Sequence, residues 1–342
     1  MQKTKVAAVG YGVIGQRLAD GVAAQGDMEL VGIVDIAPTL SIMAMLDSKD
    51  IYPIYVFEKS QADAFASEGI KVQGTLADIL PKVDIVLDAT PAGIGLKNKE
   101  IYKSFGKKAI FQGGEKNDVA DVFFHGYANY DKGIGKDYLK LTSCNTTGFI
   151  RAVDCIDKAV GVERVVATII RRVADPGDSH RGLVDVALVE KVPNHQAKDL
   201  MLIMPHIDAT GALVHVPTTH GHIVTLLMTP KKDISVEQAI ALFEAHPRIK
   251  VVDIAKGFNS NAALFRYARD KGAKRADMYE IALFRETVAK SGPNLFITIN
   301  IPQEAVVIPE SIDAIRAAMP LQTDQRQALT LTNKYLGMGE RF

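Results

Sequence analysis

Cysteine and histidine do covalent and proton chemistry near neutral pH, and in this chain of 342 residues cysteine occurs only twice, at Cys144 and Cys155. In "KLTSCNTTGFIR" (140–151) Cys144 stands between the β-type run "YLKLT" and a helix-type run. A thiol in the first turn of a helix lies near the positive end of the helix dipole, which lowers its pKa and raises the thiolate fraction. Ser143 or Asn145 is available as the cap, and backbone N–H groups there would steady an oxyanion. Local context also admits a small core residue, which is how Cys155 reads within "RAVDCIDKAV" on an amphipathic helix. A thiolate nucleophile needs a base. The eight histidines are His125, His180, His195, His206, His215, His220, His222 and His246. Three fall in "HVPTTHGHIV", whose spacing matches no common metal motif and interleaves no carboxylate, so no metal is expected. His220 and His222 share one side of a strand if it stays extended through Gly221. Arg171 and Arg172 in "TIIRRVADPGDSHRG" end a strand on alternate faces. Guanidinium groups there suit a phosphate or carboxylate, or else form solvated ion pairs.

The elements that must carry these residues begin with alternating strand and helix signals. "KVAAVG" (5–10), "LVGIVD" (30–35), "IYVF" (54–57), "VDIVLDAT" (83–90) and "KAIFQ" (108–112) read as strands, with a helix over 14–25 after the first. Val/Ile runs separated by helices predict a doubly wound parallel sheet covered on both faces, a Rossmann-type domain. Gly10-Tyr11-Gly12-Val13-Ile14-Gly15 ends the first strand and opens the helix, and Asp35 ends the next strand twenty residues beyond Gly15. In that setting Gly10 serves the tight turn, Gly12 the approach of a pyrophosphate and Gly15 the close helix–strand packing, so a dinucleotide is expected. A carboxylate at Asp35 accepts from ribose hydroxyls and repels a 2′-phosphate, and "DIAPT" offers no basic neighbour, which favours NAD over NADP. Asp35 as a simple turn cap is the alternative. The loops "TPAG" from Thr90 and "FQGGEK" containing Gly114 end further strands and should border the cofactor, unless they are ordinary turns.

After Cys144 the texture changes. Residues 145–160 read as helix, then "VERVVATIIRRV" (162–173), "ALVHVPTTHGHIVTLLMT" (212–229) and "NLFITINIPQ" (294–303) as β-type runs, interrupted by helices at 235–245 and 260–271. An α+β domain with a mixed or mostly antiparallel sheet follows. The domain limits drawn from this are 1–142, 143–303 and 304–342, the last being helices that pack back on the first domain. Lys plus Arg and Asp plus Glu are both 40, so no net field favours nucleic acid or an anionic membrane. No apolar run reaches the length of a membrane span, and no signal-peptide core is expected at the start. Two cysteines eleven residues apart along one helix cannot form a disulfide, and a reducing cytoplasm is expected.

Taken together, "GYGVIGQRLAD", "DATPAG", "AIFQGGEK", "SCNTTG", "ATIIRRVADP", the "PTTHGH" strand, "VVIPESIDAIRA" and "LTNKYLG" resemble glyceraldehyde-3-phosphate dehydrogenase of the archaeal type (type II) from end to end. The resemblance implies that Cys144 is the nucleophile and His222 the general base. It places Val13, Ile14, Gly114, Arg172 and Gln303 on cofactor-contacting positions. Ser143, Cys144 and Asn145 would contact the triose, as would the segment around His195. It implies reversible oxidation of glyceraldehyde 3-phosphate, with inorganic phosphate resolving a Cys144 thioester, in glycolysis and gluconeogenesis. NAD is the preferred cofactor and NADP a possible one; the assembly implied is a cytoplasmic homotetramer. Arg171, Arg172 and His195 are the candidates for holding the two phosphates. Two positions depart from the family. His195-Gln196 replaces a common His-His pair, and Gln196 hydrogen-bonds without carrying charge. Asp35 stands where many relatives have a basic residue. The rival readings are another phosphorylating semialdehyde dehydrogenase, with a carboxylate clamp in place of the phosphate contacts, and a Rossmann-type redox or binding protein without turnover.

Overall fold

The computed structural model describes residues 3–112, 114–172, 187–218 and 220–339. The chain divides into two units, Met1–Leu141 with Ile308–Leu336, and Thr142–Val307 with Gly337–Phe342.

In the first unit β1 (Thr4–Val9), β2 (Met28–Asp35), β3 (Ile54–Val56), β4 (Ile85–Asp88), β5 (Lys108–Phe111), β6 (Val122–Phe124) and β7 (Tyr138–Leu141) pair in parallel in the order β3-β2-β1-β4-β5-β7-β6. Successive strand residues feed opposite faces. Ala7, Val9, Val34 and Val86 join one buried cluster, while Ala8, Ile33 and Ile54 join the other. Both faces are therefore apolar, as the continuous Val/Ile runs require. The strand order reverses direction between β1 and β4, so the loops after these two strands flank the crevice where doubly wound sheets take ligands. β6 is only three residues long and has no periodic signature of its own.

Two C-terminal helices, Ile308–Ala318 and Gln325–Tyr335, complete this unit. Arg316, fully buried, fastens them. Its guanidinium forms a bidentate pair with Asp27 (2.7 and 3.0 Å) and donates to Thr332 Oγ1 (2.7 Å) and Gln25 Oε1 (2.9 Å).

The second unit holds a mixed sheet: β8 (Val162–Arg172), β9 (Leu188–Val189), β10 (Asp208–Val216), β11 (His222–Pro230), β12 (Ile249–Val252), β13 (Ile281–Phe284), β14 (Ala289–Ser291) and β15 (Asn294–Ile301). Their order is β12-β13-β15-β11-β8-β10-β9, with β14 on β15. β8 runs parallel to β10 and β12 to β13; the other pairs are antiparallel. The helix Cys144–Val160 presents Phe149, Ile150, Val153 and Ile156 as a buried stripe, one apolar face of a 3.6-residue repeat.

One expectation fails here. The run 212–229 is not a single extended stretch: β10 ends at Val216, β11 begins at His222, and Gly221 between them has φ +66°. A Cβ at Gly221 would also stand 3.0 Å from Asn300 Oδ1 and from the Ile301 carbonyl oxygen. The left-handed turn lets β10 and β11 flank β8 on opposite sides.

Removing the guanidinium of Arg316 leaves the half-buried Asp27 carboxylate and the buried Gln25 Oε1 without their donor, so Arg316→Leu should cost about 2–3 kcal/mol in denaturant unfolding of the full chain. Lys290→Ala, which breaks an ion pair to the exposed Asp233, should hardly move the same midpoint. Equal small effects would show that the buried pair is not a fastener.

Candidate active site

The glycine-rich turn of the first unit separates what the fold demands from what a ligand demands. Gly10 has φ +83°, and a Cβ on it would sit 3.0 Å from the Ala89 carbonyl group. A Cβ on Gly15 would fall 1.7 Å from the Gly10 carbonyl oxygen. A Cβ on Gly12 meets no protein atom within 4 Å. Gly12 is the N-cap of the helix Val13–Ala23, and no side chain caps it. The first-turn N–H groups, including those of Val13 and Ile14, thus form an uncapped cradle of the kind that receives phosphate oxygens. The donor set fits a dinucleotide.

Asp35 does two things at once. Its Oδ2 accepts the Tyr11 N–H (2.8 Å) and its Oδ1 the Ile36 N–H (2.6 Å), so it ties the turn to β2 and caps the chain beyond. Each carboxylate oxygen keeps a lone pair for a further donor. Thr90 is held through its N–H and hydroxyl to Asp88 Oδ1, while Asp88 Oδ2 accepts from Asn98 (2.9 Å) and Tyr102 (2.7 Å). Glu115, beside Gly114, accepts from the N–H groups of Gly93 (2.8 Å) and Gly95 (2.9 Å), which locks the loop after β4 to the loop after β5.

In the second unit Ser143 caps the helix Cys144–Val160, its Oγ accepting the Thr146 N–H (3.4 Å). Cys144 is the first residue of that helix and is half-buried. Its Sγ lies 3.6 Å from His222 Nε2. His222, fully buried, opens β11, and the backbone N–H of Arg172 donates to its Nδ1 (3.3 Å). An accepting Nδ1 carries no proton, so the neutral ring has its proton on Nε2, facing the sulfur. Burial, and after it the charges of Arg172 and Arg171, hold the His222 pKa well below its ordinary value. Asn145 is buried, and its Oδ1 has no partner.

His220 does not share a face with His222. The turn at Gly221 sends its ring onto Phe265, stacked at 4.0 Å and 4°. The two arginines also part, as their alternation requires. Arg172 is buried, pairs with Glu304 Oε1 (3.0 Å) and lines a cavity of about 230 Å³ together with Gln303, Asn300, His220 and Phe265. The Oδ1 of Asn300 is buried there without a donor. Arg171 instead stands in register with His215 on the neighbouring β10.

His195 begins the helix His195–Ile203, capped by Asn194, and its Nε2 accepts from Gln196 Nε2 (2.8 Å). Glu190 accepts from His215 (2.8 Å) and stands 3.9 Å from His195 Nδ1. His215, Glu190, Asn300 and Glu304 were not singled out from sequence. Asn300 alone carried a local signal, as a polar residue among alternating apolar ones near a strand end. Among the described residues no group of three or more His, Cys, Asp and Glu is placed to hold a metal ion. His180 lies outside the described residues.

The family described as glyceraldehyde 3-phosphate dehydrogenase, C-terminal domain, matches residues 143–272. A glyceraldehyde-3-phosphate dehydrogenase of Archaeoglobus fulgidus is 40% identical over 345 residues, spanning 100% of both chains. That of Thermococcus kodakarensis is 41% identical over 337 residues, 98% of this chain and 99% of its own. Among solved structures, an aspartate semialdehyde dehydrogenase II of Vibrio cholerae superposes with a TM-score of 0.66 at 15% identity, covering 94% of this chain and 98% of that one. That likeness is one of fold. Identity near 40% along the whole length is of another order, and the chain belongs to the glyceraldehyde-3-phosphate dehydrogenase family, of the archaeal type.

Proposed function

We infer that this protein is a phosphorylating glyceraldehyde-3-phosphate dehydrogenase. It converts glyceraldehyde 3-phosphate, inorganic phosphate and NAD(P) to 1,3-bisphosphoglycerate and NAD(P)H through a thioester on Cys144, in glycolysis and gluconeogenesis. The observation that carries the mechanism is the Cys144–His222 pair at 3.6 Å on a helix N-terminus.

The thiolate of Cys144 adds to the aldehyde carbon, and the carbonyl electron pair moves onto oxygen. Nε2–H of His222, first donated to sulfur, then serves that oxygen, with the helix N–H groups beside it. As the carbonyl re-forms, hydride leaves the carbon and a thioester remains. The nicotinamide of a bound NAD(P) supplies the hydride acceptor. Inorganic phosphate attacks the thioester, Nε2–H again meets the oxyanion, the thiolate departs and the phosphate proton passes to solvent. Removal of a hydroxyl proton by His222, the role implied by the family resemblance, would need the ring proton on Nδ1 and would break the bond from Arg172. The donor role needs no such exchange.

Gly10, Gly12, Val13, Ile14, Gly15, Asp35, Thr90 and Gly114 of the first unit, with Arg172 and Gln303 of the second, are the residues we assign to the cofactor. The uncapped helix start and the cradle at Gly12 support this on the first unit, the Arg172–Gln303 cavity on the second. Ser143, Asn145, Arg171, His195 and Gln196 are assigned to substrate. NAD is the proposed preference, because the charge of Asp35 opposes a 2′-phosphate. A cytoplasmic homotetramer is proposed from the resemblance and from cysteines that form no disulfide.

NADH should form from glyceraldehyde 3-phosphate rapidly with inorganic phosphate and slowly without it; no NADH with any aldehyde would revert the chain to a binding protein. Cys144→Ser should keep the fold and lose nearly all turnover, since a serine hydroxyl is scarcely ionised at neutral pH. His222→Asn should slow the reaction by about 10²–10⁴-fold. Burial pushes the Cys155 thiol up to about 12, so a brief iodoacetamide pulse read by mass spectrometry should label Cys144 alone. Preferential labelling of Cys155, or an active Cys144→Ser, would overturn the mechanism.

For the cofactor, kcat/KM should favour NAD over NADP, and Asp35→Ala should narrow the ratio. Equal use of both by the unmodified protein sinks that assignment.

A further inference from the structure

The side of the second unit that holds Arg171 and His195 contains a carboxylate where the assigned chemistry needs an anion site. Glu190 follows the edge strand β9, and its backbone N–H donates to the Leu213 carbonyl (3.1 Å), which fixes it against β10. Its side chain then meets two histidines, one of them in register with Arg171. His215 of β10 donates to it at 2.8 Å, His195 Nδ1 stands 3.9 Å away, and Arg171 of β8 is the register partner of His215. Gln196 reinforces the arrangement. Its amide donates to His195 Nε2 (2.8 Å), which leaves the His195 proton on Nδ1, the nitrogen nearest Glu190. The hydrogen bond from His215, followed by the charges of His195, His215 and Arg171, keeps the Glu190 carboxyl below its ordinary pKa, so it is ionised at neutral pH. Asp199, the other carboxylate acting on His195, is engaged by the Thr146 hydroxyl (3.2 Å).

We propose that Glu190 is a resident anion: in the absence of ligand its carboxylate takes the position among Arg171, His195 and His215 that a phosphate group takes during the reaction. The groups that converge on Glu190 are the ones that would hold phosphate oxygens, two imidazoles and a guanidinium. A carboxylate in their midst satisfies them at rest and opposes a second anion until it is displaced. The Glu190 side chain is partly exposed, so rotation about its own side-chain bonds can carry the carboxylate away. The site would thereby take only an anion that outbids a tethered carboxylate, which favours a phosphate dianion over monoanions such as chloride or carboxylates. The proposal rests on the phosphorylating reading of the site, and it leaves open only which phosphate, that of the triose or the inorganic one, meets these groups.

The test is Glu190→Gln, which keeps a hydrogen-bond acceptor for His215 and removes the charge. Inorganic phosphate titrated calorimetrically into the full-length protein, without turnover, should bind roughly three- to tenfold more tightly to Glu190→Gln than to the unmodified chain. Glu190→Asp should restore the weaker binding, and His215→Asn in the Glu190→Gln background should abolish the gain. Steady-state arms name the source. A lowered KM for inorganic phosphate at saturating triose assigns the site to the attacking phosphate. A lowered KM for glyceraldehyde 3-phosphate, with no change for unphosphorylated glyceraldehyde, assigns it to the substrate phosphate. Unchanged or weaker phosphate binding in Glu190→Gln would overturn the proposal and leave Glu190 as an ion pair that orders the histidines. Because the calorimetric arm involves no aldehyde, tighter phosphate binding in a protein that never oxidises the triose would sink the dehydrogenase reading and not this one.

Discussion

One backbone N–H sets the tautomer on which the proposed chemistry of the second unit depends. Arg172 donates it to Nδ1 of His222, and a buried imidazole that accepts on one nitrogen must carry its proton on the other. Antiparallel pairing of β8 with β11 brings the two backbones into reach, with Ile170 opposite Ile223 one step from the contact. The helix Cys144–Val160 then only has to begin at the right place, and its Ser143 cap sets that start. Charge points the same way. His222 is buried near two arginines, where a third positive charge is disfavoured, so the neutral donor form is favoured. The Cys144 sulfur thus faces an N–H at the start of a helix.

The glycines of the first unit show a second constraint, that of open space. Gly10 and Gly15 are dictated by the protein itself, since any side chain there meets backbone atoms. Among the described residues no tertiary neighbour stands within 4 Å of a Cβ at Gly12. A position where the fold would tolerate a side chain, yet the uncapped helix start next to it lacks a partner, is shaped for something that is not protein.

How much of this could be read beforehand depended on range. The glycine turn and the helix start at Cys144 were legible because strand–glycine–helix and strand–cysteine–helix are local patterns, whereas the role of His222 came only from the family resemblance. The parallel sheet was legible from continuous apolar runs, and the mixed sheet from the longer ones. β9 and β6 were not: neither was read as a strand, although "IYVF", which holds the comparably short β3, was. The break before His222 was missed for a different reason: "HVPTTHGHIV" is apolar and β-branched on both sides, and it is interrupted between Val216 and His222, where Gly221 is left-handed. Glu190 and His215 were beyond reach altogether. They meet through a parallel register between β8 and β10 and an antiparallel one between β10 and β9, and no local spacing encodes either.

The fastening of the last helices by Arg316 bears on the order in which the protein is made. The first unit is built from residues 1–141 and 308–336, with residues 142–307 of the second unit lying between them in sequence. That long stretch of the second unit is therefore synthesised before the first unit has its closing helices, although residues 1–141 emerged earlier. Until Arg316 arrives, Asp27 and Gln25 lack their partner, and the parallel sheet waits as an incomplete body while a later-born neighbour matures. Strands laid down early are closed by helices synthesised only after most of the second unit.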